Sequence, residues 1–451
     1  PVTVLDTTDP AMIQHLTATL PLGETLFIVA SKSGTTAEPA AFDDYFYNQV
    51  KAIKGERAGE NFVAITDPDT PLVKSAEERK FRRVFINFPD IGGRYSALSY
   101  FGLVPAALQG MDVKALISCA LQMQHACDAC VPAEQNPGLV LGSVLGSLGV
   151  NGRNKVTFVM PPQIRTFAMW LEQLLAESTG KDGVGLIPIA GEPLDKPLVY
   201  GNDRQFVYIS LRNERNENIE NSLAELMRVG HPIIRIELDD LMDLGQEFFR
   251  WEIATAVAGA ILGINPFDQP NVQESKDNTN RILAEVEQQG HLPEETPQLT
   301  EGELKLFAQE NAASIQETLR INLERLTPGS TIALLAYLTE DAATTQALET
   351  LRVWLRGQTT QATMAESGPR YLHSTGQLYK GGPDSGLYII FTQESPVNVA
   401  IPGRKYTFQQ FFHAQAIGDY EALLKHGRRV LRIDLGKDAA KGLDEIHRML
   451  M

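Results

Sequence analysis

At 451 residues the chain exceeds what one ordinary core serves and predicts two or three domains. Its 40 lysines and arginines against 56 aspartates and glutamates give a formal charge of −16, which opposes the phosphate neutralisation behind nonspecific nucleic-acid binding. No apolar run approaches a membrane span, residues 1–20 lack the basic start and apolar block of a signal peptide, and three cysteines fit a reducing cytoplasm rather than a disulfide framework.

In chain order, Val2 opens a first candidate strand, and Thr25–Ala30, Phe62–Ile65 and Val84–Ile86 read as buried strands. Val113–Cys130 has helical spacing, and Pro132–Gly138 interrupts it. A second cycle follows: strand Lys155–Met160, helix Phe167–Glu177, strand Gln205–Ser210, a helix near Ser222 and strand Pro232–Leu238. Strands alternating with helices predict an α/β fold with parallel sheets covered on both faces, ligands sitting beyond the carboxyl ends of the strands. Polar residues from Gly290 to Thr300 precede a third stretch that echoes the second: AELMRVGHPIIRIEL at 224–238 against EALLKHGRRVLRIDL at 421–435. The expected units are 1–131, 132–290 and a carboxyl-terminal α/β extension, 300–451.

Four segments carry candidate chemistry. Ser31-Lys32-Ser33-Gly34-Thr35-Thr36 follows a strand and precedes a helix that Thr36 could cap, with Pro39 in its first turn. Such a loop offers hydroxyls, backbone N–H groups, an ammonium and the positive end of the helix dipole to an anion, or is a plain polar turn. Gly92-Gly93-Arg94-Tyr95-Ser96 pairs glycines free to take unusual dihedrals with an arginine that stays charged, and reads equally as a turn with a surface salt bridge. Gln173 and Glu177, four apart, share a helical face ahead of Ser178-Thr179-Gly180-Lys181, where a glutamate is ordinarily solvated and Gly-Lys is an ordinary helix stop. Asn265-Pro266-Phe267-Asp268-Gln269-Pro270 is a proline-bracketed loop, with Lys276 expected about two turns into the next helix. Cys127 and Cys130 have metal-like spacing but no second pair and read as helix-face cysteines. His413, His426 and His447 form no ligand set, and Asp239-Asp240 and Glu294-Glu295 read as solvated faces.

Together, SKSGTT, GGRYS, Q-x-x-x-E-S-x-G-K and NPFDQ with its later lysine resemble the glucose-6-phosphate isomerase family, over residues 31 to 276. The wording GINPFDQP and GGRYSALS is most similar to the isomerase half of transaldolase fusion proteins. The resemblance implies two sugar-isomerase-type (SIS) domains and an enzyme of glycolysis and gluconeogenesis. Its substrate would be a small sugar phosphate, with no metal and no cofactor, and it would be a homodimer. By motif, Ser31, Lys32, Ser33 and Thr36 would hold the phosphate, and Gln173 and Gln269 would hold hydroxyls or phosphate. Glu177 would move a proton between C2 and C1, Arg94 would face the cis-enediolate, and Lys276 would assist at the ring oxygen.

Three departures accompany it. The family's glycine- and serine-rich loop lies upstream of the strand expected at Val2, so a truncated chain or a piece of a larger fusion is expected. The ring-opening histidine should precede NPFDQ, where only His231 stands, a poor match; His373, in Leu372-His373-Ser374-Thr375-Gly376-Gln377, is the candidate. Asn271–Ser275 replaces the family's Gly-Val-Glu wording. The alternatives are a noncatalytic sugar-phosphate sensor, which needs the phosphate loop alone, and an isomerase that also accepts mannose 6-phosphate.

Overall fold

The computed structural model describes residues 2–214, 216–310 and 312–451. Three sheets follow one another along the chain. The first holds β1 (Phe27–Ala30), β2 (Phe62–Thr66) and β3 (Arg83–Ile86), all parallel in the order β1-β2-β3. The second holds β4 (Lys155–Val159), β5 (Ile187–Ile189), β6 (Arg204–Leu211) and β7 (Ile233–Leu238), parallel in the order β5-β4-β6-β7. The third contains β8 (Leu299–Glu301), β9 (Leu304–Phe307), β10 (Thr331–Tyr337), β11 (Ala362–Ser367), β12 (Gly386–Thr392) and β13 (Arg429–Asp434). Its order is β11-β10-β12-β13-β9-β8, with β9 antiparallel to both neighbours.

Burial explains why β2, β4 and β6 were readable, although β10 and β12, buried to the same degree, were not singled out from the sequence. Every residue of β2, β4, β6, β10 and β12 is buried, as befits parallel strands covered on both faces. The edge strand β3 leaves Arg83 and Ile86 exposed. The echoed segments fold alike: Glu217–Arg228 ends before Gly230 (φ 96°) and β7, and Phe408–Lys425 ends before Gly427 (φ 71°) and β13. Both glycines supply the left-handed turn that an L side chain resists.

Three expectations are corrected. No strand starts at Val2; residues 2–9 have no regular structure, because the first sheet contains only β1–β3 among the described residues. The helix at Val113 ends at Ala126, so Cys127 and Cys130 stand in the turn beyond it, not on a helix face. Lys276 lies one turn, not two, into Val272–Gln289, since the prolines of the preceding loop delay that helix to Val272.

The helices Val113–Ala126, Pro137–Val150 and Leu244–Leu262 lie together beside the second sheet, with Trp251 fully buried against Phe158. Glycine makes the approach possible: a Cβ on Gly142 would stand 2.4 Å from the Ala254 carbonyl oxygen, and one on Gly245 only 2.1 Å from that of Leu116. Gly142→Val is therefore expected to destabilise the chain by about 1–3 kcal/mol through overpacking. A urea titration checks this, and an unchanged midpoint would contradict the helix contact.

Two arrangements position the site. The β5 edge of the second sheet lies beside the β11 edge of the third, sharing a cluster of Ala176, Ile187, Ile189, Leu335, Met364 and Leu378. Helix Phe408–Lys425 is apolar on both sides: Phe408, Phe411 and Ala414 join the core of the first sheet, and Phe412, Ala416 and Leu423 that of the third. A helix with apolar residues on two sides belongs inside, and this one ties the first sheet to the third. Among the described residues, no helix is long and apolar enough to cross a membrane.

Candidate active site

The loop Ser31–Thr36 leaves the carboxyl end of β1 and enters the helix Ala37–Lys54. Gly34 (φ 66°) is required there on two counts, since a Cβ would also meet Thr70 Cβ at 2.8 Å. Thr36 stands at the cap but makes no capping bond with its side chain; its Oγ1 instead accepts from Ser31 Oγ at 3.1 Å. Ser33 and Thr35 are exposed and share a hydroxyl contact of 2.9 Å. Lys32 is engaged within the protein, paired with Asp67 and donating to the Pro89 carbonyl at 2.8 Å. The exposed hydroxyls of Ser33 and Thr35 and the helix amino end are thus what the loop presents to solvent, and Lys32 would join them only by leaving Asp67.

Arg94 sits in a short turn, Gly93–Tyr95, after β3. Neither paired glycine takes a left-handed conformation; Gly92 is extended at φ −65°, and a Cβ on Gly93 would meet nothing within 4 Å. The arginine is placed by its partners instead. Its Nε donates to Ser178 Oγ (2.7 Å), Nη1 to Gln269 Oε1 (2.9 Å), and Nη2 to the carbonyls of Pro266 (2.7 Å) and Asp268 (3.1 Å). Nη1 also lies 3.1 Å from Glu177 Oε1, with the arginine side chain 2% exposed and the glutamate 14%. Trp170 Nε1 donates to the Arg94 carbonyl at 3.1 Å, and Tyr95 OH bridges Ser178 and Pro266. The bland reading of a surface salt bridge is excluded: this guanidinium is buried with its donors spent on five acceptors.

Glu177 lies in the last turn of Phe167–Thr179, its second oxygen accepting from Gln173 Nε2 at 3.2 Å. Gln173 Nε2 also donates to the His373 carbonyl at 2.9 Å. The 265–270 loop is fixed from the same helix end. Lys181 Nζ donates to Asn265 O and Asp268 Oδ1, both at 2.7 Å. Burial lowers the pKa of Lys181, and Asp268 opposes that.

His373 arrives from the third sheet, in a turn, Arg370–His373, that follows β11. Its Nε2 is 2.9 Å from Glu38 Oε1, in the first turn of the helix that the 31–36 loop opens. Gln415 Nε2 donates to the same oxygen at 2.7 Å. The turn is anchored behind: Glu366 accepts from Thr375 Oγ1 and Tyr379 OH, and burial raises its pKa. Lys276 is exposed, and its charge acts on Glu38. Arg94, Glu177, Gln173, Gln269 and His373 are therefore one hydrogen-bonded group, joined to the 31–36 loop through Glu38. His231 is elsewhere, buried against Tyr200 and Phe206.

Glu38 and Gln415 were not singled out from the sequence, and Tyr95 and Lys181 were named only as members of motifs, Lys181 as a helix stop. Glu38 could have been found two residues beyond SKSGTT, but an acid in a first helical turn reads as a dipole complement. Burial alone would raise the pKa of Glu38, yet the hydrogen bond and charge of His373, with Lys276 behind, hold it below its ordinary 4.5. A carboxyl group with a depressed native pKa stabilises the fold above its unfolded value and loses that contribution as pH falls through the native one. The stability lost in Glu38→Gln, measured by urea titration, should therefore shrink when the pH is lowered from about 6 to below the carboxylate range. A loss that grows on acidification would contradict the pairing.

Known proteins resemble this chain in sequence and fold. Residues 1–190 match the family model described as phosphoglucose isomerase. A glucose-6-phosphate isomerase of Parabacteroides distasonis is 28% identical over 291 residues, covering 56% of this chain and 65% of that one. A probable glucose-6-phosphate isomerase of Methanococcus maripaludis is 30% identical over 313 residues, covering 62% and 70%. The crystal structure of a hypothetical protein from Thermus thermophilus superposes with a TM-score of 0.57 at 26% identity, covering 62% of this chain and 76% of that one. The chain thus spans about two thirds of the length of these curated relatives. Parallel sheets flanked by helices, with polar groups gathered beyond their strands, define a sugar-isomerase-type α/β protein. Within that class, the chain belongs to the glucose-6-phosphate isomerase family.

Proposed function

We propose that the chain interconverts glucose 6-phosphate and fructose 6-phosphate by proton transfer through a cis-enediolate. The observation that carries this reading is the buried Arg94–Glu177 pair at 3.1 Å, bridged by Gln173 to a histidine that the third sheet supplies. Glu177 takes the proton from C2 of the opened sugar and returns it to C1. Arg94, unable to lose its own proton, holds the carboxylate in place and offsets the negative charge that develops on the enediolate. His373, oriented by Glu38, moves the proton between the ring oxygen and the C1 hydroxyl, with Lys276 at the rim. The loop 31–36 takes the phosphate. A noncatalytic sensor would need that loop alone, and so leaves the Arg94–Glu177 pair without a use. The fusion and homodimer readings rest on motif wording and family resemblance.

The test is a coupled assay in which fructose 6-phosphate is converted to glucose 6-phosphate and the product is oxidised by a dehydrogenase. No conversion by the folded chain would reject the proposal. His373→Ala should slow turnover of cyclic substrate by about 10²–10⁴-fold and spare an open-chain analogue. Equal slowing of both would remove the ring-opening role.

A further inference from the structure

The helix Phe408–Lys425 is packed on both sides by apolar residues, yet on one face, four residues apart, it carries Gln415 and Asp419, both buried. Side chains at that spacing point the same way. Asp419 Oδ1 accepts from Ser275 Oγ and from Lys380 Nζ, both at 2.9 Å, and Oδ2 accepts from Tyr371 OH at 2.8 Å. Ser275 adjoins Lys276, and Tyr371 stands two residues before His373. Lys380 lies in the short helix Gly376–Gly381, whose Gln377 donates to Gly180 O (2.9 Å), just past Glu177, and to Asn271 Oδ1 (2.8 Å), just before the Lys276 helix. One turn earlier, Gln415 accepts from Thr8 Oγ1 at 2.6 Å and donates to Glu38.

A buried carboxylate costs free energy unless its oxygens are satisfied, and Asp419 is satisfied by Lys380 together with the segments that carry His373 and Lys276. The fit is close: a Cβ on Gly418 would lie 2.9 Å from Thr279 Oγ1, so the two helices touch at that level. An apolar residue would fill the position without needing partners. What a carboxylate adds is a fixed point shared by two separate ends of the site.

We propose that Asp419, seconded by Gln415, is a positioning residue that holds the His373 turn and the Lys276 helix at one fixed separation. This rests on the reading of His373 and Lys276 as the groups that open the sugar ring. Asp419 touches no substrate; it acts through Tyr371 and Ser275. Its loss would misplace the imidazole and the ammonium relative to each other, while Arg94 and Glu177, held by separate bonds, stay put.

The test compares Asp419→Asn, Tyr371→Phe with Ser275→Ala, and His373→Ala, in the full chain. The double substitution removes both hydroxyl donors but keeps the Asp419–Lys380 ion pair, so it reports if Asp419→Asn fails to fold. Expected are native circular dichroism and a fall in kcat on cyclic fructose 6-phosphate of roughly 10–10²-fold, with turnover of an open-chain analogue near wild type. A purely structural role would lower the melting temperature and leave kcat per folded molecule unchanged on both substrates. That outcome, in either folded variant, overturns the proposal while His373→Ala still impairs the cyclic substrate. Wild-type turnover of cyclic substrate by His373→Ala overturns the site reading, and the proposal with it.

Discussion

Glu177→Gln is expected to lower kcat for fructose 6-phosphate by about 10²–10⁴-fold, with sugar-phosphate binding retained. The amide keeps the size of the carboxylate, but its single oxygen can accept from only one of Arg94 and Gln173, whose nitrogens lie 3.1 Å and 3.2 Å from the two oxygens in the native chain. What it loses is the lone pair basic enough to take a proton from carbon. Two measurements separate those effects: exchange of the C2 proton with deuterium from solvent, followed by NMR, and calorimetric binding of the sugar phosphate. Exchange at the wild-type rate would assign the base to another residue.

Arg94→Leu should damage both stability and turnover, and more severely than any other single change in the site. It strips donors from Ser178, Gln269, the carbonyls of Pro266 and Asp268, and Glu177 at one stroke. Removing one partner of a buried charged pair costs about 3–5 kcal/mol, since the other is left without compensation. Loss of the charge that faces the enediolate adds a fall in kcat of about 10²–10³-fold. Arg94→Lys should recover little, because one ammonium with three donors cannot span acceptors arranged around a planar fork. A urea titration gives the first quantity and the coupled assay the second. A variant with a native midpoint would show that the five contacts carry no net stability.

The first two sheets were largely legible because buried parallel strands are written as continuous apolar runs, as in β2 and β6, whereas β5 and β8–β12 went unread. Strand order was not, since β5-β4-β6-β7 depends on which crossovers pass which face, and no single run encodes that. At the site, motif wording placed Glu177, Arg94 and His373, while local physics alone would have called the first solvated and the second a surface ion pair. Long-range contact decided otherwise. Gln415 and Asp419 were legible in principle, as polar residues at helical spacing in an apolar helix, but their partners lie more than a hundred residues upstream or in the His373 turn. The paired glycines misled for the opposite reason: they are adjacent to a buried, fully bonded arginine, yet their backbone is ordinary.

Because base, guanidinium and imidazole follow three different sheets, their meeting depends on the slowest events in chain assembly. Pairings within a sheet join positions at most 129 apart, from Lys305 to Asp434, whereas the His373–Glu38 contact spans 335 and closes only after large segments dock. A refolding chain should therefore recover its ellipticity before it recovers turnover. Catalytic output times the last docking event, and no single sheet reaches it alone.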